Sequence, residues 1–312
     1  MRRFTKLNST LRCAAPLLLI PSALAQQAPA DVAGNAAGLV QQGIKLNRDG
    51  KQDEAIALYN RALDKSPDFY EAHLQEGIAL DLKGDYADAR MQLTKAVEVA
   101  PDNSKEQAKR ALAFSYAFSG DADKASEPEL EVFNARMAKK DLIGAAEACN
   151  ELARIYLESG DPDHAYKWYK MGYETVSHKT DLTDAEKNLW LFRWESAQAR
   201  VAGRRGKNDE AQQHVAAAKA ALDKANNPDQ LRFYPYLTGY VAFYTGDYKT
   251  AISDLQKADQ HDAFILALLA QAYERSGDPG TAKSYYRKVL EINAHNPTVA
   301  FSRPLAKKKL VE

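Results

Sequence analysis

The chain has 312 residues, of which 45% are hydrophobic and 27% charged, a composition suited to a folded protein of one elongated or two compact domains. Basic and acidic residues number 42 each, and the segment from Met1 to Ala25 holds four basic side chains and no acidic one. Without that segment, 38 basic side chains face 42 acidic ones, a net charge of −4. Nucleic acid and anionic membrane surfaces need a basic footprint, so this balance argues against both as general partners.

The segment from Met1 to Ala25 has the pattern of a secretory signal peptide. Its basic start precedes the apolar run from Cys13 to Ile20, and residues 23–25 include the small residues that a signal peptidase accepts. We predict cleavage after Ala25 and a flexible mature N-terminus over residues 26–35. A short membrane anchor is the alternative, but two prolines interrupt a run well short of the roughly 20 residues that a spanning helix needs. No other segment is suited to spanning a membrane, and the predicted location is periplasmic or secreted, from a bacterium.

Five positions recur at one constant offset in the stretch that follows. The pairs are Gly43 and Gly77, Gly50 and Gly84, Ala55 and Ala89, Ala62 and Ala96, and Pro67 and Pro101. Small residues let two helices approach closely, a left-handed glycine ends a helix, and proline cannot continue one. The shared period of 34 with these residues is typical of a repeated helical hairpin.

These residues resemble the tetratricopeptide repeat family. The resemblance implies an all-α fold, a right-handed superhelical solenoid of antiparallel helix pairs over residues 36–297, with about seven units. It is strong in units one, two, four and seven. The small residues that mark the first helices of the later units are Ala111, Ala153, Ala199, Gly239 and Ala270.

Two segments depart from the regular pattern. In the third unit Gly120 comes two positions late, and residues 126–129 include Pro128 where the second helix should run. We predict an irregular junction over residues 119–145, with a separate or elongated helix at 129–140. Residues 298–312 are predicted to form a polar C-terminal capping helix with Pro304 in its first turn, because the last apolar face has no following repeat.

The sequence contains no recognisable catalytic, cofactor-binding or metal-binding motif. None of the six histidines pairs with another at metal-ligand spacing, and there is no HExxH, no GxSxG and no phosphate-binding glycine loop. Cys149 is the one cysteine left after the predicted cleavage, and we expect it to be a buried, small apolar residue. We therefore predict no enzyme activity, no cofactor and no metal.

In the tetratricopeptide repeat family the first helices line a concave groove that accepts extended peptides or partner helices. Applied to this chain, the resemblance gives a groove with a basic middle beside an aromatic ladder, which is the composition of binding hot spots. The predicted partner-binding residues are Arg154, Arg193, Arg200, Arg204, Phe233, Tyr236, Tyr240 and Tyr244. An alternative is that the tyrosines pack between neighbouring helices and the arginines are solvated.

The predicted function is that of an exported adaptor or scaffold that binds protein or peptide segments in a bacterial cell-envelope assembly. The alternative is a peptidoglycan- or carbohydrate-associated protein in which Trp190, Trp194 and the tyrosines stack on sugars. The carboxylate clamp of chaperone-binding members is incomplete, since Lys105 and Lys109 match in kind but other positions do not. The identity of the partner and the oligomeric state are left open by the sequence.

Overall fold

A computed structural model describes residues 28–312, with side chains from residue 35 onward. The predicted signal peptide and its cleavage site lie outside this range. The first helix begins at Ala28, within the segment predicted to be flexible. Over the described residues the chain forms fifteen α-helices and one 3₁₀ turn, with no strand.

Consecutive helices form seven antiparallel hairpins, and a single helix follows the last one. This arrangement confirms the predicted all-α solenoid of helix pairs. The helices are α1 Ala28–Arg48, α2 Gln52–Lys65, α3 Tyr70–Lys83, α4 Tyr86–Val99, α5 Lys105–Phe118, α6 Ala122–Ala138, α7 Leu142–Glu158, α8 Pro162–Ser177, α9 Asp184–Arg204, α10 Asn208–Ala225, α11 Tyr234–Tyr244, α12 Tyr248–Leu255, α13 Ala263–Arg275, α14 Pro279–Glu291 and α15 Pro297–Val311. The 3₁₀ turn, Pro228–Phe233, directly precedes α11.

The third hairpin is more regular than its sequence suggests. Gly120 ends α5 with a φ of 76°, in the same left-handed region as the glycines that end the other first helices. The interruption expected at residues 126–129 is absent, because α6 runs unbroken from Ala122 to Ala138 through Pro128. Proline removes one backbone donor there, and burial of Ala125, Pro128 and Val132 against neighbouring helices offsets that loss.

Small residues in the first helices allow the two helices of a hairpin to touch. A Cβ atom added at Gly77 would lie 2.5 Å from Cγ of Leu93 and 3.1 Å from the carbonyl oxygen of Ala89. Added at Gly43, it would meet the ring of Tyr59, and at Gly239 the side chain of Leu255. The repeated glycines are therefore required by packing.

Substitution of Gly77 by alanine tests this packing. We expect Gly77→Ala to lower the free energy of unfolding by about 1–3 kcal/mol, because the added methyl group overlaps Leu93 and a helix backbone. Gly38→Ala is the matched control: no atom of the described residues lies within 4 Å of its added Cβ, and alanine should stabilise the helix by up to about 1 kcal/mol. Urea unfolding followed by circular dichroism measures both. Equal destabilisation of the two variants would contradict the packing requirement.

The C-terminal helix does more than cap the last hairpin. Pro304 lies in the interior of α15, since the helix begins at Pro297, which corrects the expectation that Pro304 is in its first turn. The helix packs on α13 and α14, as a cap would, and also contacts α5 and α7 of the third and fourth hairpins. Val299 and Ala300 are fully buried in a cluster that includes Leu82 and Phe118 of earlier units.

Hydrogen bonds hold α15 and the segment before it to the first units. The guanidinium of Arg303 donates to the carbonyl oxygens of Leu82 at 2.8 Å and Leu290 at 3.0 Å, at the C-terminal ends of α3 and α14. His295 and Asp81 form a buried contact of 2.8 Å between Nε2 and Oδ2, and Asp81 also accepts from Ser115. The first and last parts of the solenoid are thus joined, and the chain closes on itself.

Glu129, on α6, is a buried acidic residue. It is 1% exposed, and neither of its carboxylate oxygens has a partner in the described part of the chain. Burial, and secondly the charge of Glu151, raise the pKa of Glu129 to about 8, although Arg110 and Arg136 oppose the shift. Burial, together with Glu129, raises the pKa of the Cys149 thiol to about 12, consistent with the predicted buried role of that residue.

This raised pKa makes stability depend on pH. Between about pH 4.5 and pH 8 the folded state keeps a proton that the unfolded Glu129 releases, so the free energy of unfolding falls as pH rises through that window. The largest slope from one such group is about 1.4 kcal/mol per pH unit. Glu129→Gln should reduce this slope, as urea unfolding at a series of pH values would show, although Glu76, whose pKa burial raises to about 7, keeps part of it. Glu127→Gln, at an exposed position on the same helix, is the control and should keep the wild-type slope.

Candidate functional site: a cavity on the inner helices

A cavity of about 600 Å³ opens among the later units. Its walls come from the first helices of the fourth, fifth and sixth hairpins, α7, α9 and α11, with contributions from Tyr169 of α8 and from the 3₁₀ turn. One side of the cavity is closed by Asp262, at the start of α13, and by residues 296–298, at the start of α15. The ring closure by the C-terminal segment therefore turns part of the groove into a pocket.

The eight residues predicted to bind a partner divide into two groups. Five of them line the cavity: Arg154, Arg193, Arg200, Phe233 and Tyr236. Arg193 and Phe233 are exposed, and the other three are half-buried. The remaining residues, Arg204, Tyr240 and Tyr244, belong to a hydrogen-bonded network beside the cavity.

That network is centred on the carboxylate of Glu158, whose side chain is only 3% exposed. Its oxygens lie 3.0 Å from Nε of Arg154 and 3.1 Å from Nη1 of Arg204, and one accepts from the hydroxyl of Tyr240 at 3.3 Å. Arg204 also donates to the hydroxyl of Tyr244 at 2.9 Å. One buried acid thus ties together α7, α9 and α11.

The predicted aromatic ladder exists as a run of ring contacts along α11. Ring centroids are 5.9 Å apart between Tyr236 and Tyr240, and 4.7 Å apart between Tyr240 and Tyr244. Tyr240 is completely buried and stacks on Phe264 of α13, so its ring faces neighbouring helices and not open space. Tyr240 therefore packs between helices, as the alternative interpretation of the tyrosines expects. Phe233, by contrast, is 40% exposed.

Arg200 differs from the other inner arginines in its partners. Its Nε donates to the carbonyl oxygen of Ser196 at 3.3 Å, and its guanidinium lies 5.2 Å from the ring centroid of Tyr169. Within residues 35–312, Arg200 forms no ion pair with a carboxylate. Arg154, by contrast, forms an ion pair with Glu158, and its Cζ lies 4.4 Å from the ring centroid of Phe264.

Three hydroxyl groups that line the same cavity are buried and lack hydrogen-bond partners among the described residues. They belong to Tyr169, Ser196 and Tyr236. Burial raises the pKa of Tyr236 to about 12, so its hydroxyl keeps its proton and can donate. Together with Arg200, these groups give the cavity a set of free donors.

The acidic residues at the cavity already have partners. Glu151 forms an ion pair with Arg110, and its Oε2 accepts from Nε of that arginine at 3.0 Å. Glu147 lies 4.0 Å from Arg136. Asp262 caps α13, accepting from the backbone nitrogens of residues 264 and 265. Each of these carboxylates therefore has at least one oxygen engaged by a cation or a backbone N–H group.

Some residues of the site are not among those predicted from the sequence. Glu158 lies one helical turn after Arg154, and that spacing of opposite charges was a signal that could have identified it. Tyr169 belongs to a second helix, and residues 296–298 reach the site only through ring closure, so neither could be found from the inner-helix pattern. Trp190 is buried beneath Arg193, and Trp194 is half-buried against Tyr173, which leaves neither indole openly exposed.

Comparison with known proteins agrees with this architecture. Models of the tetratricopeptide repeat match residues 41–104, 148–183 and 265–296, which cover most of the first, second, fourth and seventh units. These are the units in which the sequence pattern is strongest. The repeats in these three places confirm the predicted resemblance.

Individual relatives are distant. Superkiller complex protein 3 of Mus musculus is 24% identical over 267 residues, a match that covers 84% of this chain but only 16% of that protein. A tetratricopeptide repeat protein from Parabacteroides merdae superposes with a TM-score of 0.52 at 14% identity, covering 89% of this chain and 98% of that one. A Rap protein complexed with competence and sporulation factor gives a TM-score of 0.50 at 11% identity, covering 88% and 76%. The structural likenesses show the shared fold.

None of the helices within residues 28–312 combines the length and the apolar character that a membrane span requires.

The Glu158 network can be tested by removing its charge. We expect Glu158→Gln to lower the free energy of unfolding by about 3–5 kcal/mol, because it leaves Arg154 and Arg204 without their shared buried counter-ion. Glu174→Gln is the control, since Glu174 is exposed and forms only a surface pair with Lys170; its loss should cost under about 1 kcal/mol. Urea unfolding measures both changes. A loss no larger for Glu158→Gln than for the control would show that the network does not stabilise the fold.

Proposed function

We propose that this protein is an exported, non-catalytic adaptor that binds a segment of another protein in the cavity on its inner helices, within a bacterial cell-envelope assembly. The observation that carries this proposal is the cavity itself. Arg193 and Phe233 line the cavity and are exposed. In the described chain Arg200 has no carboxylate partner, and three buried hydroxyls that line the cavity have no hydrogen-bond partner. Arginine beside aromatic rings is the composition of interaction hot spots.

The fold supports binding of a protein partner. Tetratricopeptide repeats typically act as scaffolds for protein interactions. The structurally similar Rap protein was solved in complex with competence and sporulation factor, so one protein of this fold holds a partner. Export and the envelope location rest on the signal-like pattern of residues 1–25.

An affinity pulldown from envelope extract tests the proposal. The bait is expressed with residues 1–25 present, and N-terminal sequencing should find that the mature bait begins at Gln26. A second bait carries Arg193→Gln and Phe233→Ser, which change two exposed lining residues and leave the buried network intact. We expect a protein retained by the wild-type bait to be reduced at least about tenfold with the variant, since hot-spot residues commonly contribute about 2 kcal/mol or more.

A matched double variant controls for loss of surface charge and apolar area. Leu231→Ser and Arg275→Gln change an exposed apolar residue and an exposed cation that do not line the cavity, and this bait should retain the partner. Circular dichroism confirms that all baits are folded. Equal retention by both variants would place the binding surface elsewhere, and an empty pulldown with folded baits would contradict an adaptor function in the envelope.

A further inference from the structure

The unsatisfied groups of the cavity share one chemical requirement. A guanidinium has five N–H donors and no acceptor, and among residues 35–312 only the Nε–H of Arg200 has a partner, the carbonyl oxygen of Ser196. The hydroxyls of Tyr169, Ser196 and Tyr236 are buried beside it without partners in the described chain, and Tyr169 as a whole is only 4% exposed. Arg200 is half-buried and has no counter-ion among residues 35–312, so an acceptor that carries negative charge would pair with its guanidinium and could accept from the neighbouring hydroxyls as well.

The balance of charges around the cavity limits how much negative charge is required. Arg193, Arg200 and Asp262 line the cavity and form no ion pair among residues 35–312. Among the ion-paired groups nearby, Arg154 and Arg204 share Glu158, Arg136 shares Glu106 and Glu147, and Arg110 pairs with Glu151, so their charges cancel. Arg193 and Arg200 against Asp262 then leave one positive charge. A ligand with a single negative charge would neutralise it, and a carboxylate is the monoanion that suits a guanidinium, because its two oxygens match the paired N–H groups.

The rest of the cavity is suited to an apolar group. Phe192, Phe233 and Leu237 line it, and its volume of about 600 Å³ is in the range of sites that bind small molecules or a few residues. We infer that the cavity binds a carboxylate attached to an aromatic or aliphatic body, with the carboxylate on the Arg200 guanidinium and hydrogen bonds from Tyr169, Ser196 and Tyr236. The inference rests on the proposed function, in which the carboxylate belongs to the bound protein segment.

Isothermal titration calorimetry with matched probes tests this inference. The first probe is the tetrapeptide alanyl-alanyl-alanyl-phenylalanine with a free terminal carboxylate, and the second is the same peptide with a terminal amide. A third probe is the amide peptide with one alanine replaced by glutamate, and a fourth is phenylacetate. The purified protein should bind the free acid with a Kd below about 1 mM and at least about tenfold more tightly than the amide.

Variants assign the preference to the proposed groups. Arg200→Gln should abolish the preference for the acid and leave the affinity for the amide unchanged, whereas Tyr236→Phe should weaken acid binding several-fold. Arg205→Gln is the control, because Arg205 lies outside the cavity and pairs with Asp163. If Arg200→Gln failed to fold, as circular dichroism would show, Tyr236→Phe would carry the test, since it removes only one oxygen atom.

Each outcome bears on the inference. Acid and amide bound equally, a preference that survives both variants, or no binding of any acid probe would overturn it. Tight binding of the free-acid tetrapeptide alone would identify a chain terminus, tight binding of the glutamate peptide an acidic side chain, and tight binding of phenylacetate a small organic acid. A pulldown partner lost with Arg193→Gln and Phe233→Ser but fully retained by Arg200→Gln would uphold the proposed function and overturn this inference. Acid binding by a protein that captures no partner would do the reverse.

Discussion

Each hairpin of this solenoid depends on a position in its first helix where the side chain is absent or ends at Cβ. At Gly43 and Gly77 the space that a methyl group would need is filled by Tyr59 and Leu93 of the second helix. Close contact there sets the distance between the paired helices, and the pair then offers its apolar stripe to the next hairpin. Helices α2 to α5 are each 14 residues long, which explains the constant period at the start of the chain.

The later units use the same packing but add buried charge. The carboxylate of Glu158 on α7 contacts Arg204 on α9 and accepts a hydrogen bond from Tyr240 on α11, so it holds three inner helices together. Arg200, one turn earlier than Arg204 on α9, has no carboxylate partner within the described residues, and the cavity beside it holds the hydroxyls of Tyr169, Ser196 and Tyr236, which also lack partners there. Stability and binding capacity are thus divided between neighbouring arginines of one helix.

The sequence predicts the fold of this protein better than it predicts the site. Glycine, alanine and proline at fixed spacing specify the hairpins, because their effects are local and act within a single repeat. The same spacing rules predicted an interruption of the third unit, which is wrong. Helix α6 continues through Pro128 because one of its faces is buried against neighbouring helices. Helical periodicity also identified Arg200 and Tyr236 as inward-facing. It could not separate them from Arg204 and Tyr240, since partners such as Glu158 come from other helices and depend on how far the solenoid curves. Contacts across the closed ring, such as that of His295 with Asp81, have no local pattern at all.

Closure of the ring also changes how the chain must fold. An open solenoid gains stability from nearest neighbours, so its units can form one after another as they leave the ribosome. Here Arg303 pairs with the carbonyl of Leu82 across 221 residues, and Asn293 with that of Arg48 across 245. The carbonyl oxygens of Leu82 and Arg48 therefore cannot gain these partners until synthesis of the chain is almost finished. Long-range contacts of this kind raise the contact order, and forming them carries a loop-closure cost that contacts between neighbouring hairpins avoid.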